Sequence, residues 1–525
     1  MSRLIIHNAG LHSFNDGFKT GNDTLAIENG RIMAVGRWNE LEPLAEAGTE
    51  LIDAGGKVLL PGFNDSHIHI WKVGNLKTFM LDVRSAKSME EMLDKIADYH
   101  RENPHLNWIT CRGFNEAGWK EGRMPDKNDL DKITTQKPIF LIRTCAHIAV
   151  ANSKALELSA INADTPVPPG GVIQLGNDGI PDGIFSETAL GLVSKNIPSY
   201  TKDELKIMIR AARQQFYSLG ITAATDPAVD PLLLQAYHEM NLAGELGLRV
   251  NAIPILLPDG GESPFDLPEY FVSDWFNVNT VKFFSDGGLS GKTAALKRTY
   301  KYTAEHGVLR LQRAQYLELG RAALEKGLGL ATHAIGDAAI EFVIECYQEL
   351  SKAFPRNIKR IEHLGLPEEK HLEAMAAAGI ATSMQTIFIS ELGKNFRQYL
   401  DHQYLDHCYP VKSVLQHGIL TALSSDAPVV SDLNPLKGVA AAVTRRDNEG
   451  FEIAPNEAIS VEAALKGYTL SAAAISGNAK IGTLEPGQYA DLVMLDKDPM
   501  QVDAAELSSI KVEKTYINGI CVYQA

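Results

Sequence analysis

The sequence predicts an α/β fold: a (β/α)8 barrel with an inserted α/β subdomain and a small β-domain built from both termini. Three observations lead to this expectation. Eight short apolar strands alternate with helical stretches in the middle of the chain, and eight parallel strands close such a barrel. The spacing between the first two strands is far too long for one helix, and hairpin patterns occur near both ends of the chain.

The candidate barrel strands are short runs of apolar residues bounded by turns or helical stretches. In a (β/α)8 barrel the carboxyl ends of all strands meet at one mouth, where active sites lie. Polar residues at these ends are therefore candidates for chemistry. The runs span residues 58–70, 221–226, 250–256, 280–284, 330–335, 359–363, 380–385 and 420–426.

Each end of the chain carries a partly alternating run that is broken by the pair Asn-Gly. The runs span residues 25–35 and 515–523, with Asn-Gly at 29–30 and 518–519. This pair tolerates the positive φ angles of a type I′ turn, so it predicts a β-hairpin. Neither end is long enough to form a core alone, and we therefore expect one composite β-domain.

These patterns divide the 525 residues into five segments. Residues 1–57 and 479–525 are the two parts of the composite β-domain. Residues 58–70 are expected to form barrel strand 1, residues 71–215 an inserted α/β subdomain, and residues 216–478 the remainder of the barrel.

The charge balance argues against two classes of partner. Lys and Arg number 50 against 65 Asp and Glu, which gives a net charge of −15. Nucleic acids and anionic membranes require basic patches, so neither is expected as a partner. No window of about 18 apolar residues occurs in the sequence, so no membrane-spanning segment is expected.

Cysteine usage and the N-terminal residues predict a cytoplasmic protein. The five cysteines are scattered, odd in number and without a Cys-x-x-Cys pair, as expected in a reducing compartment. The apolar stretch that follows Met1 is too short for a signal peptide. The sequence does not fix the oligomeric state, for which a homodimer is the prior expectation.

A set of histidines and one aspartate falls at the carboxyl ends of four candidate strands. His67 and His69 are two apart in the motif Asp-Ser-His-Ile-His, so on a strand they face the same way. His333, His363 and Asp426 each end another strand. Gathered at one barrel mouth, these nitrogen and oxygen donors suit a divalent ion, with zinc or a similar metal expected.

Lys282 lies on the strand between the two groups of histidines and has two interpretations. An ammonium repels a cation, so one interpretation is an ion pair with Asp286 or another carboxylate. If the amine is desolvated and neutral, it can instead react with CO₂ to form a carbamate, whose two oxygens are able to bridge two metals.

The segment 286–293, Asp-Gly-Gly-Leu-Ser-Gly-Lys-Thr, resembles a phosphate-binding P-loop that follows a strand. That motif needs glycine where Asp286 stands, and a carboxylate there would repel a triphosphate. We therefore reject a nucleotide site and expect the glycines to let the loop pass close to the barrel mouth.

His147, in the inserted segment, ends an apolar strand and is followed by Asn152 and Ser153. It is either a hydrogen-bonded core histidine or a residue that reaches toward a substrate. Spacing alone does not decide between these two interpretations.

Taken together, the motifs resemble the amidohydrolase superfamily, and most closely its long-insert branch of N-substituted formamide deformylases and related amidases. The resemblance covers nearly the whole chain. It includes the C-terminal stretch Gly-Thr-Leu-Glu-Pro-Gly-Gln-Tyr-Ala-Asp-Leu-Val. The supporting motifs span residues 61–69, 281–287, 332–337, 360–363, 425–428 and 482–493.

The resemblance implies a metal-dependent hydrolase on a distorted TIM barrel, with a flanking β-sandwich built from both termini. It assigns His67 and His69 to the more buried metal, and His333 and His363 to the more exposed one. A carbamate on Lys282 would bridge the two metals. The number of ions, one or two per chain, stays open because members with either number share most of these residues.

The implied reaction is hydrolysis of an amide-type C–N bond in a small-molecule substrate. A hydroxide activated by the metal attacks the carbonyl, while Asp426 binds metal and shuttles the proton to the leaving nitrogen. His147 would bind or polarise the substrate. The carboxylates of Asp65, Asp286 and Glu362 are candidates for orienting the ligand imidazoles.

Two other functions stay open at this point. A one-metal deaminase on the same barrel places a glutamate three residues after the fifth-strand histidine, where this chain has Gly336, with Asp337 one position later. This disfavours deamination without excluding it. A barrel that has lost catalysis and only binds or senses ligands is opposed by the complete ligand set, since a lost site usually drops ligands.

Overall fold

The computed structural model describes five stretches of the chain, residues 3–116, 119–144, 148–168, 171–258 and 263–525. Across these stretches, the helices are too short or too polar to cross a membrane. The chain divides into two compact units. One unit joins Met1–Ile70 with Arg213–Ala525, and the other, here called the inserted unit, is Trp71–Ala212.

Short strands form the sheets of both units. The strands, numbered in chain order, are β1 (Arg3–His7), β2 (Gly10–Leu11), β3 (Thr24–Glu28), β4 (Arg31–Gly36), β5 (Glu50–Asp53), β6 (Val58–Pro61), β7 (Phe63–Asp65), β8 (Met80–Asp82), β9 (Ile109–Phe114), β10 (Ile139–Arg143), β11 (Ile148–Ala151), β12 (Val172–Leu175), β13 (Pro181–Ser186), β14 (Ile221–Val229), β15 (Arg249–Pro254), β16 (Phe271–Val272), β17 (Phe276–Val278), β18 (Thr280–Phe284), β19 (Gly329–Ala334), β20 (Lys359–His363), β21 (Ala381–Met384), β22 (Thr421–Leu423), β23 (Leu492–Leu495), β24 (Val512–Ile517) and β25 (Ile520–Gln524).

Helices alternate with the strands through most of the chain. Local capping sets several of their starts; for example, the Asp230 side chain accepts a hydrogen bond from the backbone N–H of Leu233, 2.8 Å away. The helices are α1 (Trp38–Leu41), α2 (Ile70–Thr78), α3 (Met89–Glu102), α4 (Lys127–Asp131), α5 (Ser153–Leu158), α6 (Gly191–Ser194), α7 (Lys202–Ser218), α8 (Pro231–Leu242), α9 (Arg313–Glu325), α10 (Asp337–Ser351), α11 (Glu369–Ala378), α12 (Ile387–Tyr399), α13 (His402–Leu405), α14 (Val411–Gln416), α15 (Pro435–Thr444), α16 (Val461–Gly467) and α17 (Leu470–Ile475).

The larger unit has a mixed α/β fold that contains two sheets of mainly parallel strands. Their strand orders are β16-β17-β15-β14-β7 and β18-β19-β20-β21-β22, and only the β16–β17 pair is antiparallel. A parallel bridge between Ile255 and Lys282 links the two sheets. In the described part of the chain the hydrogen-bonded ladders do not close into one continuous barrel.

The run 58–70, expected as one barrel strand, has a different structure. β6 pairs with β23 of a terminal sheet, β7 pairs with β14 of a parallel sheet, and α2 begins at Ile70. The change of sheet occurs at Gly62, whose backbone lies so close to the Thr222 side chain that a Cβ atom has no room there. The expectation of one barrel strand over residues 58–70 is therefore wrong on both sides of β7, because an apolar run does not reveal where a chain crosses between sheets.

The termini supply two further sheets, with the orders β4-β3-β1-β5 and β2-β6-β23-β24-β25. One apolar cluster unites residues from both chain ends, including Ile6, Leu25, Leu492 and Tyr516. The two Asn-Gly hairpins are confirmed: β3 pairs with β4 and β24 pairs with β25, both antiparallel. All four turn residues have positive φ, with Asn29 at 52° and Asn518 at 50°.

The inserted unit is built on its own six-stranded sheet, with the order β12-β13-β11-β10-β9-β8. Alternate residues of β10 enter different apolar clusters, since Ile139 and Leu141 pack with α3, whereas Phe140 packs with α5. Side chains of a strand point alternately to the two faces of the sheet. Both faces of this sheet are therefore covered, which explains why β10 is apolar throughout most of its length.

A buried ion pair joins a parallel sheet to a terminal sheet in the larger unit. Arg249 opens β15 and its Nε lies 2.5 Å from Oδ2 of Asp491, which directly precedes β23. We expect Asp491→Ala to lower the free energy of unfolding by about 3–5 kcal/mol, because the substitution leaves a guanidinium buried without its counter-charge. Denaturant unfolding followed by circular dichroism measures this.

The exposed pair Arg446–Glu452, 3.0 Å apart, provides the matched control. Both side chains are at least half exposed, so Glu452→Ala is expected to change stability by less than about 1 kcal/mol. Equal losses in the two variants would show that burial does not govern the cost of breaking these pairs.

Candidate metal centre

The candidate ligands lie at one edge of the parallel sheets because each ends or follows a strand. His67 and His69 follow β7, His333 is the second-last residue of β19, His363 is the last residue of β20, and Asp426 follows β22. Neighbouring parallel strands run in the same direction, so their carboxyl ends lie at the same edge.

Three of these side chains form a close, buried group. Oδ1 of Asp426 lies 3.5 Å from Nε2 of His67 and 3.4 Å from Nε2 of His69. Donors about 2.0–2.1 Å from a tetrahedral zinc ion are separated by roughly 3.3 Å. The spacing of the three atoms therefore fits donors that face a common cation.

His333 and His363 lie beside this group but outside it. The His363 ring is 4.8 Å from the His67 ring and 4.4 Å from the His333 ring, measured between centroids. The ligand atoms of His67, His69 and Asp426 all lie within 4.8 Å of one another, and this group includes neither His333 nor His363. The four imidazole rings thus form one cluster. His333 contacts His363, on the side of the cluster away from His67.

Hydrogen bonds to acceptors fix the proton positions of His67 and His363. Nδ1 of His67 lies 2.5 Å from Oε2 of Glu362, and Nδ1 of His363 lies 2.7 Å from Oε1 of Gln385. Both partners are acceptors, so each Nδ1 carries the hydrogen. Burial lowers the pKa of His67 to about 4, against the raising effects of Glu362 and Asp426. Both rings are thus neutral and keep the Nε2 lone pair for a metal.

Lys282 is fully buried beside the histidine cluster. Within the described residues its Nζ has no hydrogen-bond partner, and it lies 4.9 Å from the centroid of the Phe284 ring. Among the described residues, Lys282 therefore does not form the ion pair with Asp286 that was one of its two interpretations. Burial lowers the pKa of Lys282 to about 8, although Glu362 and Asp426 favour its charged form. A buried amine without a partner is costly and invites either neutralisation or modification.

Comparison with known proteins places this geometry in a family. A model of the amidohydrolase family matches residues 50–523. The chain belongs to the amidohydrolase family. It is 29% identical over 518 residues to YtcJ of Bacillus subtilis (strain 168), and the match covers 96% of each chain. It is 27% identical over 545 residues to the N-substituted formamide deformylase of Arthrobacter pascens, covering 100% of this chain and 99% of that one.

A solved structure of similar fold extends the comparison to three dimensions. It is an uncharacterized metal-dependent hydrolase from Pyrococcus horikoshii OT3, with a TM-score of 0.80 at 26% identity. The match covers 96% of this chain and 99% of that chain. Family membership and this likeness support a metal-dependent hydrolase, and they point to a divalent metal.

Glu362 holds a buried network together in this member of the amidohydrolase family. Besides His67, it accepts hydrogen bonds from Nε and Nη2 of Arg360, the latter at 2.9 Å. Burial alone would raise the pKa of Glu362, but Arg360, His67 and Lys282 together hold it below its ordinary value. Arg360 was not identified from the sequence as part of the site. It stands two residues before Glu362, and residues two apart on a strand share a face, so this spacing indicates that the two side chains are neighbours.

Asp65 and Asp286, the other two carboxylates expected to orient imidazoles, bind mainly backbone. Oδ1 of Asp65 accepts from the N–H groups of His67 at 3.1 Å and Ser425 at 3.2 Å, which ties the turn after β7 to that after β22. Burial raises the pKa of Asp65 to about 7, although these hydrogen bonds oppose the shift. Asp65 therefore positions the backbone of a ligand and not its ring.

Asp286 lies close to a ring as well as to backbone groups. Its Oδ1 is 3.3 Å from Nε2 of His333, and its Oδ2 accepts from the N–H of Gly336 at 2.8 Å. Nε2 of His333 also donates to the carbonyl oxygen of Gly287 at 3.1 Å. These acceptors keep the hydrogen on Nε2, so His333 keeps the Nδ1 lone pair for a metal.

Asp226 of β14 is a neighbour of the site that sequence reasoning missed. Its Oδ1 lies 3.9 Å from Nδ1 of His69, and its Oδ2 accepts from the hydroxyl of Tyr237 at 2.6 Å. A carboxylate near the end of an apolar strand, in Thr225-Asp226-Pro227, was a signal for it. His147, the candidate substrate contact, lies outside the described residues.

Proposed function

We propose that this protein hydrolyses an amide-type C–N bond of a small molecule with the help of a divalent metal. The observation that carries the proposal is the distance of the Asp426 carboxylate from Nε2 of His69 and Nε2 of His67, 3.4 and 3.5 Å, in a buried site. A carboxylate at this position can bind a cation and can also accept the proton of the attacking water. Two further imidazoles, those of His333 and His363, lie beside this group and support the proposal, as does the buried Lys282 amine.

The donor set fits one or two zinc-like cations. His67, His69 and Asp426 would hold one, and His333 and His363 the other, with Lys282 bridging as a carbamate. Imidazole nitrogens with carboxylate oxygens are donors that zinc accepts readily. When bound, the cation supplies a water of near-neutral pKa as nucleophile and polarises the substrate carbonyl.

The remaining steps fall to side chains of this chain. Asp426 accepts the proton that the attacking water gives up and returns it to the leaving nitrogen, so the amine departs neutral. Glu362 and Gln385 keep His67 and His363 in the tautomers that present Nε2. We assign substrate binding to His147, following the resemblance of its segment.

We also propose that the parallel strands form a distorted (β/α)8 barrel in the order β7-β14-β15-β18-β19-β20-β21-β22. The residues after β7 and β22 support closure, since the N–H of Asp426 donates to the carbonyl oxygen of His67 at 2.8 Å. The N–H of His69 likewise donates to the carbonyl oxygen of Ala427 at 3.0 Å. Residues 71–215 would be an insertion, and 1–57 with 479–525 a flanking β-sandwich.

Candidate substrates are small amides, as suggested by the proposed C–N hydrolysis and by one relative. The Arthrobacter pascens relative is named for deformylation of N-substituted formamides, at 27% identity. We therefore propose a screen of formamides, N-acyl amino acids, cyclic amides and ureas, run with zinc and with chelator. Release of an amine that requires metal supports the function, whereas turnover that chelator leaves unchanged contradicts it.

Metal content gives an independent prediction. We expect the purified protein to carry one or two zinc-like ions per chain, because His67 and His363 hold their hydrogen on Nδ1 and keep the Nε2 lone pair for a cation. Elemental analysis measures the content, and dialysis against chelator followed by zinc should remove and restore activity. Full activity of a metal-free protein would contradict the proposed metal-dependent mechanism.

A further inference from the structure

Gln385 is a fully buried amide that directly follows β21 and contacts the candidate site. Its Oε1 accepts the hydrogen bond from Nδ1 of His363 at 2.7 Å. Its Nε2 donates to the hydroxyl oxygen of Ser424 at 2.9 Å and to the backbone carbonyl oxygen of Ser383 at 3.4 Å. Every polar atom of this side chain thus has a partner of the matching kind.

These contacts allow one orientation of the amide. A flipped amide would turn its oxygen toward the carbonyl oxygen of Ser383, so two acceptors would meet. The observed orientation therefore keeps the hydrogen of His363 on Nδ1. Nε2 of His363 is left as the atom able to bind a cation.

A chain of buried hydroxyls extends from Gln385 to the other ligand-bearing strand ends. The hydroxyl oxygens of Ser424 and Ser383 are 3.0 Å apart, and those of Ser383 and Ser66 are 2.6 Å apart. Ser66 directly precedes His67, and Ser424 lies two residues before Asp426. One connected network therefore links the side chain that orients His363 to the turns that carry two other candidate ligands.

We propose that Gln385 is a positioning residue for the cation held by His363, and that the Ser66–Ser383–Ser424 hydroxyl network sets its orientation. The inference rests on the proposed function and deepens it. His67 is oriented by the carboxylate of Glu362, whereas His363 is oriented by a neutral amide. Carboxylate partners raise the basicity of an imidazole ligand. We therefore expect the cation beside His363 to bind more weakly than the cation beside His67. Its affinity then depends more on how well its ligands are oriented.

The test is titration of metal-free protein with Co(II), read by visible absorption and by equilibrium dialysis. In Gln385→Met, whose thioether sulfur is only a weak acceptor for Nδ1–H, we expect the affinity for the last bound Co(II) to fall about 10- to 100-fold, with an altered absorption spectrum. Gln385→Glu keeps an acceptor at the same place and should bind that ion at least as tightly as the wild-type protein.

Thr386→Val is the matched control. Thr386 is the next residue, is equally buried, and donates its hydroxyl to the carbonyl oxygen of Gly438 at 2.8 Å, and among the described residues it makes no hydrogen bond to a histidine. It should leave Co(II) binding unchanged while losing some thermal stability. Thermal unfolding of all metal-free variants reports whether they fold.

The outcomes separate this inference from the proposed function. Equal Co(II) affinity and spectra of wild-type protein and Gln385→Met overturn the positioning role alone. Equal losses in Gln385→Met and Thr386→Val also overturn it, because they indicate a general packing effect. A wild-type protein that binds no Co(II) overturns the proposed function and this inference with it.

Discussion

Replacement of Asp426 by asparagine is expected to lower kcat by about 10²- to 10⁴-fold while the protein keeps its metal. Asparagine retains an oxygen at the position that lies 3.4 Å from Nε2 of His69 but cannot accept the proton of the attacking water. Asp426 has a φ of 58°, and asparagine is among the few residues that adopt this left-handed region without strain. Turnover and zinc content of the same preparations measure the two effects separately.

Asp432→Asn supplies the matched control for this change. Asp432 lies six residues further along the same segment, and its carboxylate accepts from the N–H of Asn434 at 2.9 Å and pairs with Lys437. The same chemical substitution there should leave kcat unaffected. An unchanged rate in Asp426→Asn would mean that another group takes the proton, and loss of zinc would mean that Asp426 matters mainly as a ligand.

Sequence reasoning predicts most of the parallel strands because their apolar runs are bounded by turns. β18 (Thr280–Phe284) and β20 (Lys359–His363) have the expected limits, and both Asn-Gly hairpins occur where expected. The run 58–70 is the exception. Its first part pairs with β23, more than 400 residues away along the chain, and no local pattern reveals a partner at that distance.

For the site, strand ends are predictable but side-chain partnerships are not. The periodicity of each strand indicates that His67, His363 and Asp426 approach one edge, and the structure brings their side chains close together. The contact between Gln385 and His363 depends on the register of β20 against β21, which one sequence does not contain.

Lys282 leads to the second large effect that we expect. Lys282→Met should lower activity by more than about 100-fold, because it removes the proposed bridging ligand. Removal of a side chain that only orients a ligand usually costs about 10- to 100-fold. In the proposed form, the Nζ lone pair makes a bond to the carbon of CO₂ and one proton leaves the nitrogen. The product is an anionic carbamate, which suits a site between two cations.

Carbamate formation requires the neutral amine, and the burial of Lys282 makes it available. Burial lowers its pKa to about 8, so the neutral fraction grows as the pH rises through about 8 and then levels off. An ordinary lysine is half neutral only at a pH of about 10.4. Protein incubated with zinc at a fixed concentration of dissolved ¹³CO₂ should therefore show a carbamate resonance whose intensity grows as the pH rises through about 8 and levels off above about pH 9.

Lys359 offers a second buried lysine as the control for this labelling. Its Nζ donates to the carbonyl oxygens of Phe354 at 2.6 Å and Asn357 at 3.2 Å, so it has partners that Lys282 does not have in the described residues. The resonance should persist in Lys359→Met and vanish in Lys282→Met. A wild-type protein with two metals but no carbamate signal would mean that another ligand bridges them, and Lys282 would then act only as a buried amine beside the cluster.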